Sequence, residues 1–231
     1  MTQAVVLDAP RRAAVHAVPP TPAFVHSGAK RALDLVVSIA ALVLGAPLFL
    51  VVALVVRLTS PGPVFFRQRR AGLRGEPFTV LKFRTMWDGA SESPHRDYVS
   101  SLVRARSDTP RDGIFKLVGD SRVTRVGRLL RRTGLDELPQ LLNVIRGEMS
   151  VVGPRPPLEY EVELYEPWQL ERLAVKPGLT GLWQVSGRNA LDYVDMCTKD
   201  IEYIRQWSFA GDLAIVARTP FAMLFKSGQA A

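Results

Sequence analysis

The sequence predicts a mainly helical α+β protein: a small domain with a short β-hairpin, an N-terminal proline-kinked helix that re-enters a membrane, and amphipathic helices at the membrane interface. Three observations carry this reading. An uncharged apolar run from Leu35 to Val56 has Pro47 near its middle, two strand-like stretches flank Gly72 and Gly75, and arginines recur at helical spacing between Arg122 and Arg132. With 231 residues, the chain needs no second core. It divides into a mobile Ala/Pro-rich leader over 1–27, the membrane helix over 28–60, and the main domain with its interfacial helices over 61–231.

The apolar run is 22 residues long, and entering or crossing a bilayer takes roughly 20. A cleaved signal sequence fits poorly, because its apolar region is about 7–15 residues long and lies at the extreme N-terminus. Pro47, preceded by Gly45 and Ala46, removes one backbone hydrogen bond and bends a helix there. Arg11, Arg12, Lys30 and Arg31 precede the run, and Arg57, Arg67, Arg69, Arg70 and Arg74 follow it. Cations favour the cytoplasmic side, so a re-entrant helix keeps both groups inside; a kinked single span is the alternative. Asp34 is expected to pair with Lys30 at the i,i+4 spacing.

Further along, Val64–Arg67 and Phe78–Phe83 read as a hairpin whose arginines are candidates for phosphate. Asp88–Gly113 reads as a polar surface insertion without chemistry, holding at most a short helix near Tyr98–Arg106. Arg122, Arg125, Arg128 and Arg132, with the apolar stripe Val123, Val126 and Leu130, predict a helix that Gly134 ends. A second helix is expected over Asp136–Arg146, a rigid turn at Gly153–Pro156, a helical stretch over Glu159–Val175, and a glycine-rich loop over Lys176–Arg188. The apolar end, Asp212–Phe225, is too short to span and follows Trp207 and Phe209, as in helices lying in a membrane interface.

Against this frame of elements, the excess of 30 Lys and Arg over 22 Asp and Glu, a net charge of +8, suits phosphates, nucleic acid or an anionic leaflet. Cys197 is the single cysteine, which excludes an intrachain disulfide and a cysteine-based zinc site and fits a cytosol-facing location. His16, His26 and His95 lie outside the dense motifs, so general-base chemistry by histidine is not expected. Asp136 and Glu137 open a helix directly after a run of arginines, with Pro139 in the first turn. The dipole and the guanidinium groups hold such carboxylates ionised, ready to bind a divalent metal or attack phosphorus. Acidic residues also favour a helix start for its dipole alone, and the residues by themselves leave both readings open. Arg128, Arg131 and Arg132 suit a diphosphate or, equally, lipid headgroups. The loop Pro177–Arg188 combines three glycines with Thr180, Trp183 and Gln184, a composition that allows close approach to a nucleotide without being a known fingerprint.

Taken together, Lys30-Arg31-Ala32-Leu33-Asp34, Gln68 to Gly72, Lys82-Phe83-Arg84-Thr85-Met86, Leu135-Asp136-Glu137-Leu138-Pro139-Gln140, Gly153-Pro154-Arg155-Pro156 and the Pro177–Asn189 loop resemble the bacterial sugar transferases, the monotopic phosphoglycosyl transferases. The resemblance implies a ping-pong transfer of a sugar-1-phosphate from a UDP-sugar to polyprenol phosphate, releasing UMP, at the cytoplasmic face of the bacterial inner membrane. It implies Asp136 as nucleophile and Glu137 as ligand, with Asp136, of Mg²⁺. Arg84, Arg131, Arg155, Thr180, Gln184 and Arg188 would bind phosphate or nucleotide, and Pro47 would bend the re-entrant helix. The partners implied are donor, lipid acceptor and bilayer, with no nucleic acid; oligomeric state and the transferred sugar stay open, a hexose being favoured. Two positions depart from the family pattern: Ala46 where Ser often precedes the kink proline, and Ala71 where some members have proline.

Overall fold

The computed structural model describes residues 18–91, 93–105, 120–187 and 191–225. Its longest element is α1, Gly28–Thr59, helical without interruption through Pro47. The hairpin follows, with β1 (Phe65–Ala71) antiparallel to β2 (Pro77–Phe83) in a register that pairs Phe65 with Phe83 and Ala71 with Pro77. Beyond it lie α2 (Ser93–Ala105) and α3 (Arg125–Thr133). A 3-10 helix over Leu135–Gln140 then runs into α4 (Leu141–Arg146). The short strands β3 (Ser150–Val152) and β4 (Gly178–Thr180) pair in parallel, and between them come α5 (Glu159–Val162) and a 3-10 helix over Pro167–Ala174. The elements α6 (Leu182–Ser186), α7 (Tyr193–Arg205) and α8 (Phe209–Phe225) complete the described chain.

Local signals explain most of these bounds. Thr124 caps α3 by accepting from Gly127 N, and Gly134, at φ 72°, ends it as the sequence predicts. The β3–β4 pair carries no such signal, because three-residue strands are too short to show an alternating pattern and their pairing is long-range. The helix expected near Tyr98 begins at Ser93. Val18 to Ser27, read as leader from composition, are packed: Val18 is buried against Ala71 and Leu170, and Phe24 stacks on Trp207 with ring centroids 4.6 Å apart.

The way α1 is held departs from expectation. Lys30 does not pair with Asp34; its ammonium donates to Asp212 Oδ2 at 2.8 Å, to Val152 O at 3.1 Å and to the Tyr203 hydroxyl at 3.1 Å. Asp34 turns to β3 instead, accepting from Ser150 Oγ and Val151 N, both at 2.8 Å. A lysine one turn away on an exposed helix would serve Asp34, but here both charges are buried, and each takes the partners that satisfy it from the packed domain. The far end of α1 packs on the same domain, where Val52 and Val56 meet Phe83 and Leu130. Between the two ends the apolar surface is open: Leu44 is 83% exposed, and Val43, Leu50 and Val51 are also exposed.

The remaining core lies around β3 and β4, where Val144, Met149, Val151, Val152, Val175, Ile204 and Ile215 pack together. Asn143 locks the hairpin to α4: its Oδ1 accepts from Leu81 N, and its Nδ2 donates to Thr79 O and Glu148 Oε2. Along α8, Asp212, Ile215 and Ala222 face inward while Phe209, Leu213 and Phe221 are exposed, the division of faces of an amphipathic helix packed on a core.

Removing one partner from a buried ion pair leaves the other charge unpaired and costs roughly 3–5 kcal/mol. Lys30→Ala is therefore expected to destabilise the protein by about that amount, read as a lowered denaturation midpoint of the detergent-solubilised chain. A loss below about 1 kcal/mol would mean that apolar packing alone seats α1.

Candidate active site

A cleft of about 230 Å³ opens between the hairpin, α3 and the Leu135–Gln140 turn, and both Asp136 and Glu137 line it. They sit in the first turn after the left-handed Gly134, which reverses the chain so that the carboxylates lie close to the helix bearing Arg131. Asp136 is buried, and Glu137 is partly exposed and takes the Lys82 ammonium at 3.0 Å. Lys82 reaches it from β2, which the Asn143 bonds hold against α4.

Arg131 lines the same cleft, with Nε donating to Thr85 Oγ1 at 2.9 Å. Burial lowers its pKa from the ordinary arginine value, and the nearby Asp136 carboxylate acts the other way, favouring the cation. The contact depends on close backbone approach at Gly127, where a Cβ would lie 2.0 Å from Thr85 O, so α3 can rest directly on the Thr85 strand end. Arg155 also lines the cleft, and its guanidinium meets the fully buried Glu161 at 3.3 Å. Its carbonyl accepts from Arg172, which is itself buried and bonded to Asp200 and to the Tyr165 hydroxyl. The motif arginine thus projects from a stiff polar core.

Other predicted residues are placed differently. Arg84 borders the cleft, but its guanidinium donates to Ser60 O at 2.8 Å, to Ser60 Oγ at 2.9 Å and to Pro61 O, strapping the end of α1 to the hairpin. Thr180 and Gln184, expected to contact nucleotide, are not among the residues lining this cleft. Thr180 Oγ1 pairs with Thr219 Oγ1 at 2.8 Å, and Gln184 Nε2 donates to Leu179 O at 3.2 Å, because their loop is taken up by β4 and α6. Arg188 lies outside the described residues.

Beyond the hairpin arginines already read as phosphate candidates, several cleft residues had no site role assigned from sequence. Arg70 is the hairpin arginine that lines it; Gln68 Oε1 and Pro156 O hold its guanidinium. Burial, then the neighbouring Arg155 charge, lowers its pKa to about 10, which still leaves it cationic at neutral pH. Arg122, paired with Asp120 at 2.6 Å, stands at the cleft with Trp87 and Tyr160. His95 lines it as well, 3.3 Å from the Tyr160 hydroxyl, so the polar insertion read as remote from chemistry forms one wall. Strand alternation could have flagged Lys82 and Arg70; nothing local points to Trp87 or His95.

Arg70, Lys82, Arg131 and Arg155 converge on two adjacent carboxylates, an arrangement that can bind a diphosphate and hold an ionised nucleophile beside it. Trp87 and Tyr160 add flat faces suited to a base. The carboxylate oxygens are hard donors that fit Mg²⁺, which takes one or two carboxylates plus substrate phosphates and water. Among the described residues no group of three or more His, Cys, Asp or Glu side chains is arranged to hold a metal.

A family model described as "Bacterial sugar transferase" matches residues 25–226. The exopolysaccharide production protein ExoY of Rhizobium meliloti strain 1021 is 45% identical over 203 residues, covering 87% of this chain and 88% of the relative. A UDP-glucose:undecaprenyl-phosphate glucose-1-phosphate transferase of Caulobacter vibrioides is 45% identical over 203 residues, covering 84% of this chain and 69% of that protein. The undecaprenyl-phosphate galactose phosphotransferase of Salmonella typhimurium is 40% identical over 200 residues, 86% of this chain but 41% of its own length. Matched through the apolar helix α1, the hairpin and the carboxylate-bearing turn, the chain belongs to the bacterial sugar transferase family.

Proposed function

We propose that the protein transfers a hexose-1-phosphate from a UDP-sugar to undecaprenyl phosphate, releasing UMP, as a membrane step of exopolysaccharide synthesis. The observation that carries this is the pair Asp136–Glu137 set in a cleft lined by Arg70, Lys82, Arg131 and Arg155. The named activities of the Caulobacter and Salmonella relatives support the donor and acceptor classes.

In this reading Arg131 and Arg155 bind the donor's phosphates, and the Asp136 carboxylate attacks the sugar-bearing phosphorus. The bond from that phosphorus to the UMP oxygen breaks, UMP departs, and the phosphosugar stays on Asp136. An oxygen of undecaprenyl phosphate then attacks the same phosphorus and frees the carboxylate. Glu137, with Asp136, would hold Mg²⁺, which when bound neutralises charge on the diphosphate. Lys82 keeps Glu137 oriented until substrate arrives. Arg84 is a positioning residue in this scheme, fixing the end of α1 beside the cleft.

Re-entry of α1 into the cytoplasmic leaflet is part of the proposal, with the bend at Pro47. A helix of 32 residues is about 48 Å long if straight, well over the roughly 30 Å of a bilayer's hydrocarbon core. Both of its ends pack on one domain while its middle stays apolar and exposed, an arrangement that favours entry and exit on the same side. The exposed Phe209, Leu213 and Phe221 on α8 would lie at the same interface.

Incubating the enzyme with a panel of UDP-sugars and undecaprenyl phosphate is expected to yield UMP and a lipid-linked sugar phosphate; UDP as the nucleotide product would replace the proposal with plain glycosyl transfer. Asp136→Asn is expected to abolish both products with the fold intact. Without acceptor, the wild type should release about one equivalent of UMP and leave a phosphosugar on the Asp136 peptide; UMP release with no such adduct removes Asp136 from the nucleophile's role. Chelation of divalent ions is expected to stop turnover and added Mg²⁺ to restore it, and full activity in excess chelator would contradict the metal role. Cysteine labelling in intact cells should place Met1 and Ala231 both on the cytoplasmic side; labelling on opposite faces would make α1 a span.

A further inference from the structure

A second cavity, about 290 Å³, lies at the root of α1, lined among others by His26, Lys30, Arg31, Asp34 and Lys176. Its charges are unevenly matched. Lys30 is paired with Asp212, and Asp34 is held by Ser150 and Val151. Arg31 donates from Nη1 to Val144 O and from Nη2 to Ile145 O, both at 2.7 Å, but touches no carboxylate among the described residues. Lys176 makes no hydrogen bond or ion pair among the described residues. Burial, and next the Arg31 charge, lowers the pKa of its ammonium, while the Asp34 carboxylate acts the other way. Both cations border one point: a Cβ on Gly147, at φ 84°, would lie 3.7 Å from Lys176 Nζ and 3.9 Å from Arg31 Nη2, and no side chain fills that space.

The position adds a second constraint. The apolar part of α1 starts just past Asp34, with Val36 67% exposed, and the Phe24–Trp207 stack stands beside the cavity, which Phe24 lines. Aromatic pairs and basic residues at the start of a membrane helix mark headgroup depth. We propose that this cavity is a phosphate-binding site, separate from the catalytic cleft, in which Arg31 and Lys176 take the phosphate of a phospholipid headgroup. The assignment to a lipid rests on the membrane-bound reading of α1; the cation pair itself does not. An ordered headgroup here would add negative charge to that of Asp34, the one carboxylate lining the cavity beside Lys30, Arg31 and Lys176, and would set the depth at which α1 leaves the leaflet.

The test uses the full chain in detergent, with a thermal shift as readout and UMP release measured in parallel. Dihexanoylphosphatidylglycerol, below its micelle concentration, is expected to raise the melting temperature of the wild type by roughly 5 °C, with inorganic phosphate at the same concentration giving little. Lys176→Gln should lose the response, while Lys199→Gln, which removes an equal charge from α7, should keep it. Lys176→Glu should give a protein that is more stable without lipid and indifferent to it, because the new carboxylate faces Arg31. An equal rise with inorganic phosphate would assign the site to free phosphate. An unchanged lipid response in both Lys176 variants, or no response in the wild type, would overturn the site. Loss of UMP release by the wild type would instead count against the proposed transferase activity and leave the thermal result standing.

Discussion

The buried ammonium of Lys30 is the contact on which the rest of the structure depends. It joins the start of α1 to β3 through Val152 O, to α7 through Tyr203 and to α8 through Asp212. The Tyr203 hydroxyl and Trp207 Nε1 also donate to Asp212, at 2.9 Å and 3.0 Å, so the carboxylate is satisfied as it is buried. Breaking such a cluster leaves an uncompensated charge in the interior, which favours one arrangement of the apolar helix on the domain. Asp34 repeats the logic one turn on, using Ser150 and Val151.

From that anchor follows the geometry of the cleft. The far end of α1 is set against Phe83 and Leu130, and Arg84 ties it to Ser60, so the hairpin and α3 meet at a defined angle beside the apolar helix. Gly127 lets α3 close on Thr85, and Asn143 holds β2 to α4. The carboxylates and cations of the site come from β1, β2, α3, the Leu135–Gln140 helix and the turn at Arg155, and Arg70, Arg131 and Arg155 are each held by a bond to a neighbouring element.

The charge balance differs between the two cavities. In the cleft, cations face carboxylates, and Glu137 and Glu161 each hold one in place. At the root of α1, Lys176 and Arg31 border a common space, and Asp34, bonded to β3, is the carboxylate that lines the same cavity. An anion bound in the first, as proposed, would lie beside a carboxylate; in the second it would serve position alone.

Much of this was legible in the residues. Composition and length mark α1, the glycines between two strand-like runs mark the hairpin, and the arginine period closed by Gly134 marks α3, because each is a pattern within one element. The ordered motifs likewise point to Asp136, Glu137, Arg131 and Arg155, which do share a cleft. What only the tertiary structure decided is which charges meet. Lys30 takes Asp212 rather than Asp34, Lys82 takes Glu137, Arg84 turns to Ser60, Thr180 and Gln184 fold inward, and the polar insertion brings His95 to the site. The reason is physical: periodicity and capping act over a few residues, whereas a buried charge takes whatever partner long-range packing sets within about 3 Å of it.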